Sequence, residues 1–221
     1  DQFFRTISKD VKREFKNQRL IQILEFPVLF LGAKPSKTPS FYSFMNYADF
    51  GLGTWHPKNG MFDVVKAMEN LALELGVKFE FNANVNKIVV EEGKAIAIVI
   101  NNSRVEADVI LSGADYHHSE TLLDDEFRMY SEKYWDSRVF APSSLLFYVV
   151  FNRKIENISH HALFFDVDFD QHARDIYDEP KWPAEPLFYA NFPSITDQSA
   201  APEGMESGFF LIPLAPGIED T

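Results

Sequence analysis

Residues 51–115 constrain the fold more than any other part of the sequence. They open with a glycine- and aromatic-rich loop, Gly51-Leu52-Gly53-Thr54-Trp55-His56-Pro57-Lys58-Asn59-Gly60-Met61. Met61, Val64, Val65, Met68, Leu71, Ala72 and Leu75 then recur at helical spacing. Gly76 supplies the stop, because a helix favours glycine just past its C-terminus. Residues 77–81 read as a strand. Val85–Glu91 and Lys94–Ile100 alternate in polarity around Glu92-Gly93, a two-residue hairpin signal. Asn101-Asn102-Ser103 turns the chain into residues 104–107. Val109-Ile110-Leu111 is a short apolar run, as expected of a strand buried on both faces of a parallel sheet. It ends in Ser112-Gly113-Ala114-Asp115, and the C-terminal end of such a strand is where α/β sheets admit a ligand to the backbone.

The flanks have a different texture. Phe3, Ile7, Val11 and Phe15 repeat every fourth residue, with Phe4 and Leu20 widening the stripe, which predicts one amphipathic helix over residues 2–24. Its polar face carries Arg5, Lys9, Lys12, Arg13, Lys16 and Arg19. Such a face either meets water while the stripe packs on the core, or lies on an anionic membrane surface. Phe41, Phe44, Met45 and Tyr47 resume helical spacing and line either an apolar pocket or the core. Beyond Asp115, residues 121–130 read as an acidic helix and residues 170–177 as a short one. Strands are expected at residues 145–151, 162–165, 187–192 and 209–214, punctuated by prolines. Strands with irregularly placed helices give an α+β class, α/β-like in its middle part.

Composition narrows the functions. The net charge of −12 opposes general nucleic-acid binding, which depends on Lys and Arg to neutralise phosphate. The charge is uneven: residues 1–58 hold nine Lys or Arg against five Asp or Glu, and the remainder twelve against twenty-eight. The absence of cysteine removes disulfide and thiolate chemistry and suits a cytoplasmic setting. The 22 phenylalanines suit a thick core or a large apolar cavity. Residues 1–20 carry both charge signs and lack a signal-peptide layout. Asn101-Asn102-Ser103 and Asn157-Ile158-Ser159 match the glycosylation pattern by chance in that context.

Several catalytic and metal patterns fail. Gly51-Leu52-Gly53 lacks the third glycine and the preceding βα unit of a dinucleotide fingerprint, and neither a P-loop nor a G-x-S-x-G elbow is present. His117-His118 and His160-His161 are adjacent pairs, whose side chains are expected to diverge, so no metal site is assigned. Asp166, Asp168 and Asp170 are spaced like part of a calcium loop but lack its glycine and terminal glutamate. No residue is singled out as catalytic.

Gly53-Thr54-Trp55-His56-Pro57-Lys58-Asn59-Gly60-Met61, followed by a helix and Leu75-Gly76-Val77, resembles the G-x-W-[YF]-P-x-G-G-M segment of bacterial-type phytoene desaturases, which are FAD-dependent, carotenoid-forming oxidoreductases. Further matching segments are Phe30-Leu31-Gly32-Ala33, Met45-Asn46-Tyr47-Ala48-Asp49, Asn84-Val85-Asn86-Lys87-Ile88, the run from Ala107 to Asp115, Pro142-Ser143-Ser144, His160-His161 with Phe164-Phe165, and Ala201-Pro202-Glu203-Gly204. Their order holds along essentially the whole chain. The resemblance implies an FAD-binding domain interrupted by a mixed-sheet substrate domain. Residues 1–49 and 119–221 would belong to the substrate domain and residues 50–118 to the FAD domain.

It further implies cofactor contacts at Val85, Ala114, Asp115 and Gly60, the last because the usual Gly-Gly is Asn59-Gly60 here. A substrate pocket is implied around Trp55, His56, Met61, Phe44, Met45 and Phe147. The implied chemistry is removal of hydrogen across a C–C bond of an apolar, phytoene-like polyene, with hydride passing to the flavin. The Gly-rich pyrophosphate loop and the C-terminal flavin-closing segment of such enzymes have no match here. The expectation is therefore an internal fragment, inactive by itself, from a cytoplasmic protein with peripheral contact to the inner membrane surface. The oligomeric state is not predicted. Two alternatives stay open: a lipid- or membrane-binding module built on the basic helix, and a related polyene or retinoid saturase or isomerase.

Overall fold

The computed structural model describes residues 3–165 and 167–219. Contacts divide the chain into two units, Asp1–Asn70 with Phe140–Thr221, and Leu71–Val139. These boundaries lie about twenty residues later than those expected for an FAD-domain excursion.

The first unit opens with two helices, α1 (Ile7–Glu14) and α2 (Gln18–Glu25), where the periodicity predicts one. Side-chain capping explains the break. Asn17 Oδ1 accepts the backbone N–H groups of Arg19 (2.9 Å) and Leu20 (3.4 Å), starting a new helix, while Phe15 is extended. Thr6 caps α1 in the same manner through Lys9 N–H. Short 3₁₀ turns follow at Phe26–Leu31 and Ser40–Ser43, then α3 (Phe44–Asn46) and a π turn, Tyr47–Leu52.

The next helix, α4 (Phe62–Glu74), closes as predicted. Gly76 (φ 84°) donates to Leu73 O at 2.9 Å and Val77 to Ala72 O at 3.0 Å, the paired bonds of a Schellman cap. Its apolar stripe is nevertheless exposed, with Met68 at 68% and Leu75 at 77%.

In the second unit, β1 (Val85–Glu91), β2 (Lys94–Ile100) and β3 (Ser103–Glu106) form an antiparallel meander in the order β1-β2-β3. Both turns have two central residues at positive φ: Glu92 (51°) with Gly93 (75°), and Asn101 (48°) with Asn102 (64°). That is the I′ geometry whose twist matches the flanking strands. Ile88 and Ala97 are the buried centre of the sheet.

Two expected strands are absent. Residues 77–81 and 109–111 run outside any ladder, with Val109 82% and Leu111 94% exposed. A strand exists only where its N–H and C=O groups find a neighbour to pair with, and among the described residues none lies beside these runs. The acidic helix expected over residues 121–130 also gives way, to α5 (Tyr116–Thr121), a 3₁₀ turn at Asp125–Phe127, and α6 (Glu132–Asp136). Asp115 caps α5 through His118 N–H and Ser131 caps α6 through Tyr134 N–H, fixing both starts away from the predicted span. Buried Glu120 ties the two helices by accepting Met129 N–H (2.7 Å) and Trp135 Nε1–H (3.1 Å).

The chain then returns to the first unit with β4 (Ser143–Phe151), β5 (His161–Phe164), α7 (Phe169–Tyr177), β6 (Phe188–Asn191) and β7 (Glu206–Leu214). All four strands are antiparallel, in the order β4-β7-β6-β5. Asp168 caps α7 through Gln171 N–H, so it serves the helix rather than a calcium loop. Asp166 of that alternation lies outside the described residues. On α7, His172 is 2% exposed; its Nδ1 accepts Leu187 N–H at 2.9 Å and its Nε2 donates to Pro213 O at 3.0 Å. One side chain thus joins the helix to β7 and to the entry of β6, beside the core of Phe26, Phe169 and Leu187. The whole is the expected α+β class.

Candidate functional site

Three backbone features of the first unit bring polar side chains together. Gly53 (φ 82°) ends the π turn and releases an extended loop carrying Thr54, Trp55 and His56; Asn59 (66°) and Gly60 (93°) then turn it, with Gly60 N–H on Pro57 O at 3.0 Å. β5 starts immediately after His160. Past β6, a 3₁₀ turn, Pro193–Ile195, delivers Thr196 and Asp197. Between these pieces lie two adjoining clefts. The first, of about 600 Å³, is mainly apolar and is lined by Pro27, Phe44, Met45, Ala48, Asp49, Gly53, Thr54, His161, Leu163 and Tyr189. The second, of about 640 Å³, is polar, with Trp55, His56, Lys58, His160, Thr196, Asp197 and Ser199 in its wall. Thr54 and His161 line both.

The polar cleft is centred on three imidazoles. The ring of His56 lies 4.8 Å from that of His160, which lies 4.4 Å from that of His161. His160 Nδ1 meets Thr196 Oγ1 at 2.5 Å, and His161 Nδ1 meets Tyr189 OH at 2.6 Å and the Asn191 amide at 3.2 Å. The Nε2 atoms of His56 and His160 are buried with no hydrogen-bond partner. Burial, aided by the neighbouring imidazoles, pushes the His160 pKa down, and burial does the same at His161 against the pull of Asp49. Both rings therefore favour the neutral form. The Ser199 hydroxyl and N–H on Asp197 Oδ1 (2.6 and 3.0 Å) hold that carboxyl below its usual range, and its Oδ2 faces His56 Nε2 at 3.9 Å. Among the described residues no group of His, Asp or Glu is arranged to hold a metal ion.

The residues expected at the site fall in several places. Phe44 and Met45 line the apolar cleft, while Trp55 and His56 line the polar one. Trp55 is 86% exposed and donates its indole N–H to Leu52 O at 3.3 Å. Met61 is exposed and Phe147, on β4 opposite Phe210, is half-exposed; neither borders these clefts. Gly60 stands in the first unit, and a Cβ there would meet nothing within 4 Å, so its glycine serves the positive φ.

Val85, Ala114 and Asp115 belong to the second unit. Val85 opens β1 opposite Ile100; Ala114 is exposed, its N–H on Ser112 Oγ; Asp115 caps α5. For a flavin nucleotide, the fit these residues offer is open backbone: Gly113 has no heavy atom within 4 Å of a built Cβ, and the strand-like run before it is unpaired.

Sequence reasoning set His160 and His161 aside because adjacent side chains were expected to diverge, and it gave no role to Thr196, Asp197 or Tyr189. The one local sign was the repeated histidine itself. Two segments far apart in sequence also meet: Gly32, at φ 66°, sits so close to Pro142 that a Cβ would lie 3.2 Å from its Cδ.

Residues 2–206 match the model of the family described as flavin containing amine oxidoreductase. The chain is 37% identical over 220 residues to a carotenoid 3,4-desaturase of Haloarcula japonica, covering 99% of this chain and 44% of that protein. It is 32% identical over 212 residues to a zeta-carotene-forming phytoene desaturase of Myxococcus xanthus, covering 95% of this chain and 40% of that one. It thus spans less than half the length of these relatives. Among solved structures, an oxidoreductase from Methanosarcina mazei superposes with a TM-score of 0.69 at 18% identity, over 96% of this chain and 48% of its own, a likeness of fold.

Proposed function

This chain belongs to the flavin-containing amine oxidoreductase family, and on that premise we propose that it forms part of a phytoene desaturase-like, FAD-dependent enzyme that dehydrogenates C–C bonds of a long polyene. The observation that carries the reading is similarity along 99% of the chain to a protein named as a carotenoid desaturase. The apolar cleft agrees with it, since Phe44, Met45, Pro27 and Leu163 offer an apolar wall for a hydrocarbon. FAD, when bound, supplies the hydride acceptor. The protein's share is to hold the polyene in one register and keep water away from it.

In this reading Val85, Ala114, Asp115 and Gly60 provide backbone contacts to the cofactor, and residues 50–118 belong to its domain. Phe3 and Phe4, 70% and 95% exposed in the turn that precedes the basic first helix, provide peripheral contact with an anionic membrane that holds the substrate. Among the described residues no helix is long and apolar enough to cross a bilayer.

The test is anaerobic reduction of the FAD-loaded full-length protein by phytoene and by partly desaturated polyenes, with the products separated by chromatography. Flavin bleaching with stepwise gain of conjugated double bonds is expected. Bleaching by a primary amine with none by any polyene refutes the reading, and gain or movement of hydrogen without new double bonds assigns a saturase or isomerase instead. Co-sedimentation with anionic liposomes, lost at high salt or on reversing the charges of Lys9 and Arg5, checks the membrane contact.

A further inference from the structure

A further apolar cavity lies at the other end of the same sheet. It measures about 310 Å³ and sits where β4 and β6 begin and β7 ends, with Phe26, Leu31, Ala141, Pro142, Leu187 and Leu211 in its wall. His161 pairs with Asn191 at the C-terminal end of β6, whereas Leu187 stands just before its first residue. The imidazoles and this cavity therefore occupy opposite ends of one strand. The apolar cleft lies between them: it shares Thr54 and His161 with the polar cleft and Tyr189 with the cavity. The backbone step from Phe26 to Pro27 likewise passes from the wall of the cavity to that of the apolar cleft.

Packing alone does not account for this space. Protein interiors are close-packed, and even a methyl-sized gap costs stability. The cavity is many times larger, although Phe26 and Leu187 beside it are 5% and 2% exposed. Water is a poor occupant, since holding one takes about two to four polar partners. The Tyr189 hydroxyl is already engaged with His161 Nδ1 at 2.6 Å, which leaves the Ser143 and Ser144 hydroxyls among the lining side chains. The wall is closed where Gly32 meets Pro142. Both line the cavity, and they pack so tightly that a Cβ on Gly32 would lie 3.2 Å from Pro142 Cδ, so nothing passes between them. A hydrocarbon chain entering from the cleft past Tyr189 stops there.

We propose that this cavity seats the apolar end group of the polyene and fixes the register of the chain along the sheet. This rests on the polyene reading above and names what sets its choice of chain length and of bond. Each methylene that leaves water for such a wall is worth about four-fold in affinity, so an end that fills the cavity is favoured over one that falls short. A chain halted at Gly32 and Pro142 also presents the same C–C bond to the reacting centre in every encounter. Leu31 and Ala141, both exposed residues in the wall, are then determinants of specificity that touch no reacting atom.

The experiment uses the full-length FAD-loaded protein with phytoene and with acyclic polyenes one isoprene unit shorter and one unit longer. Binding is read as quenching of tryptophan fluorescence, and the position of the first new double bond by chromatography and mass spectrometry. Wild type is expected to bind the shorter polyene at least about ten-fold more weakly than phytoene. Ala141→Phe, which fills the cavity, is expected to bring that ratio toward one and to move the new double bond along the chain. Leu31→Ala, which enlarges the cavity, is expected to raise the affinity for the longer polyene relative to phytoene. Where Ala141→Phe loses its flavin absorbance, Leu31→Ala carries the test, since it only removes atoms at an exposed site. Equal affinity of wild type for the three lengths, or a length preference and bond position unchanged in the variants, overturns the end-group subsite and leaves the polyene reading standing. If no polyene binds or bleaches the flavin of wild type, the polyene reading falls and the subsite with it.

Discussion

Replacing His172 probes the junction between α7, β6 and β7. In His172→Ala the N–H of Leu187, a residue only 2% exposed, loses its acceptor. Leaving such a donor unsatisfied costs about 1–3 kcal/mol. The bond to Pro213 O, at a partly exposed position, contributes about 0.5–1.5 kcal/mol more. The expected loss is therefore about 1.5–4.5 kcal/mol, or roughly 3–18 °C in Tm for a domain of this size. His172→Asn sets an amide oxygen near the place of Nδ1 and is expected to recover part of it. Urea unfolding of the full-length protein, followed by tryptophan fluorescence, reads the shift in midpoint at unchanged m.

The pH dependence gives a second reading of the same group. Burial lowers the His172 pKa below its ordinary 6.5, so between that depressed value and 6.5 the unfolded chain binds more protons than the folded one. The stabilisation is complete above about pH 6.5 and is lost as pH falls. The margin between wild type and His172→Asn should shrink on acidification. His172→Ala within about 0.5 kcal/mol of wild type, the range of an ordinary surface change, refutes the reasoning, as does a margin that ignores pH.

Burial raises the Tyr177 hydroxyl to about 12, so spectrophotometric titration should show one tyrosine ionising about two units late, and stability should fall between pH 10 and 12 because the unfolded chain releases that proton first. Burial also raises Glu25, against the Ser8 hydroxyl and Lys12 3.9 Å away. Glu25→Gln is therefore expected to stabilise the fold progressively as pH rises from 4.5 through the folded-state value, measured as Tm against pH. Gly76→Ala forces a Cβ into φ 84° at the end of α4 and should cost about 1 kcal/mol by the same urea assay.

What was legible in the sequence was local. The meander could be read because Glu92-Gly93 and Asn101-Asn102 dictate the turn conformation and the strands alternate around it. The end of α4 could be read because a single glycine closes it. Periodicity, however, states which side chains share a face and not what covers them: Val109-Ile110-Leu111 reads as a strand buried on both faces, yet Val109 and Leu111 stand exposed, as does the stripe of α4. The first helix broke because the Asn17 side chain competes with a continuous backbone ladder, an effect the hydrophobic pattern cannot register. The imidazole cluster was illegible for a third reason. His56, His160, Thr196 and Asp197 come from three irregular segments, and only the pairing of β5 with β6 and the turn that follows bring them within reach of one another.

The strand order of the first unit also has a consequence for biosynthesis. The meander of the second unit closes through two-residue turns and can form in roughly 1–10 μs per hairpin. Among the described residues β4, by contrast, pairs only with β7, whose first residue follows its last by about 55 positions. At a translation rate of about 5–20 residues per second, that partner emerges roughly 3–11 s later. During that interval Leu146, Phe147, Tyr148 and Val150 form an unpaired apolar edge on a nascent chain, where capture by a chaperone competes with aggregation.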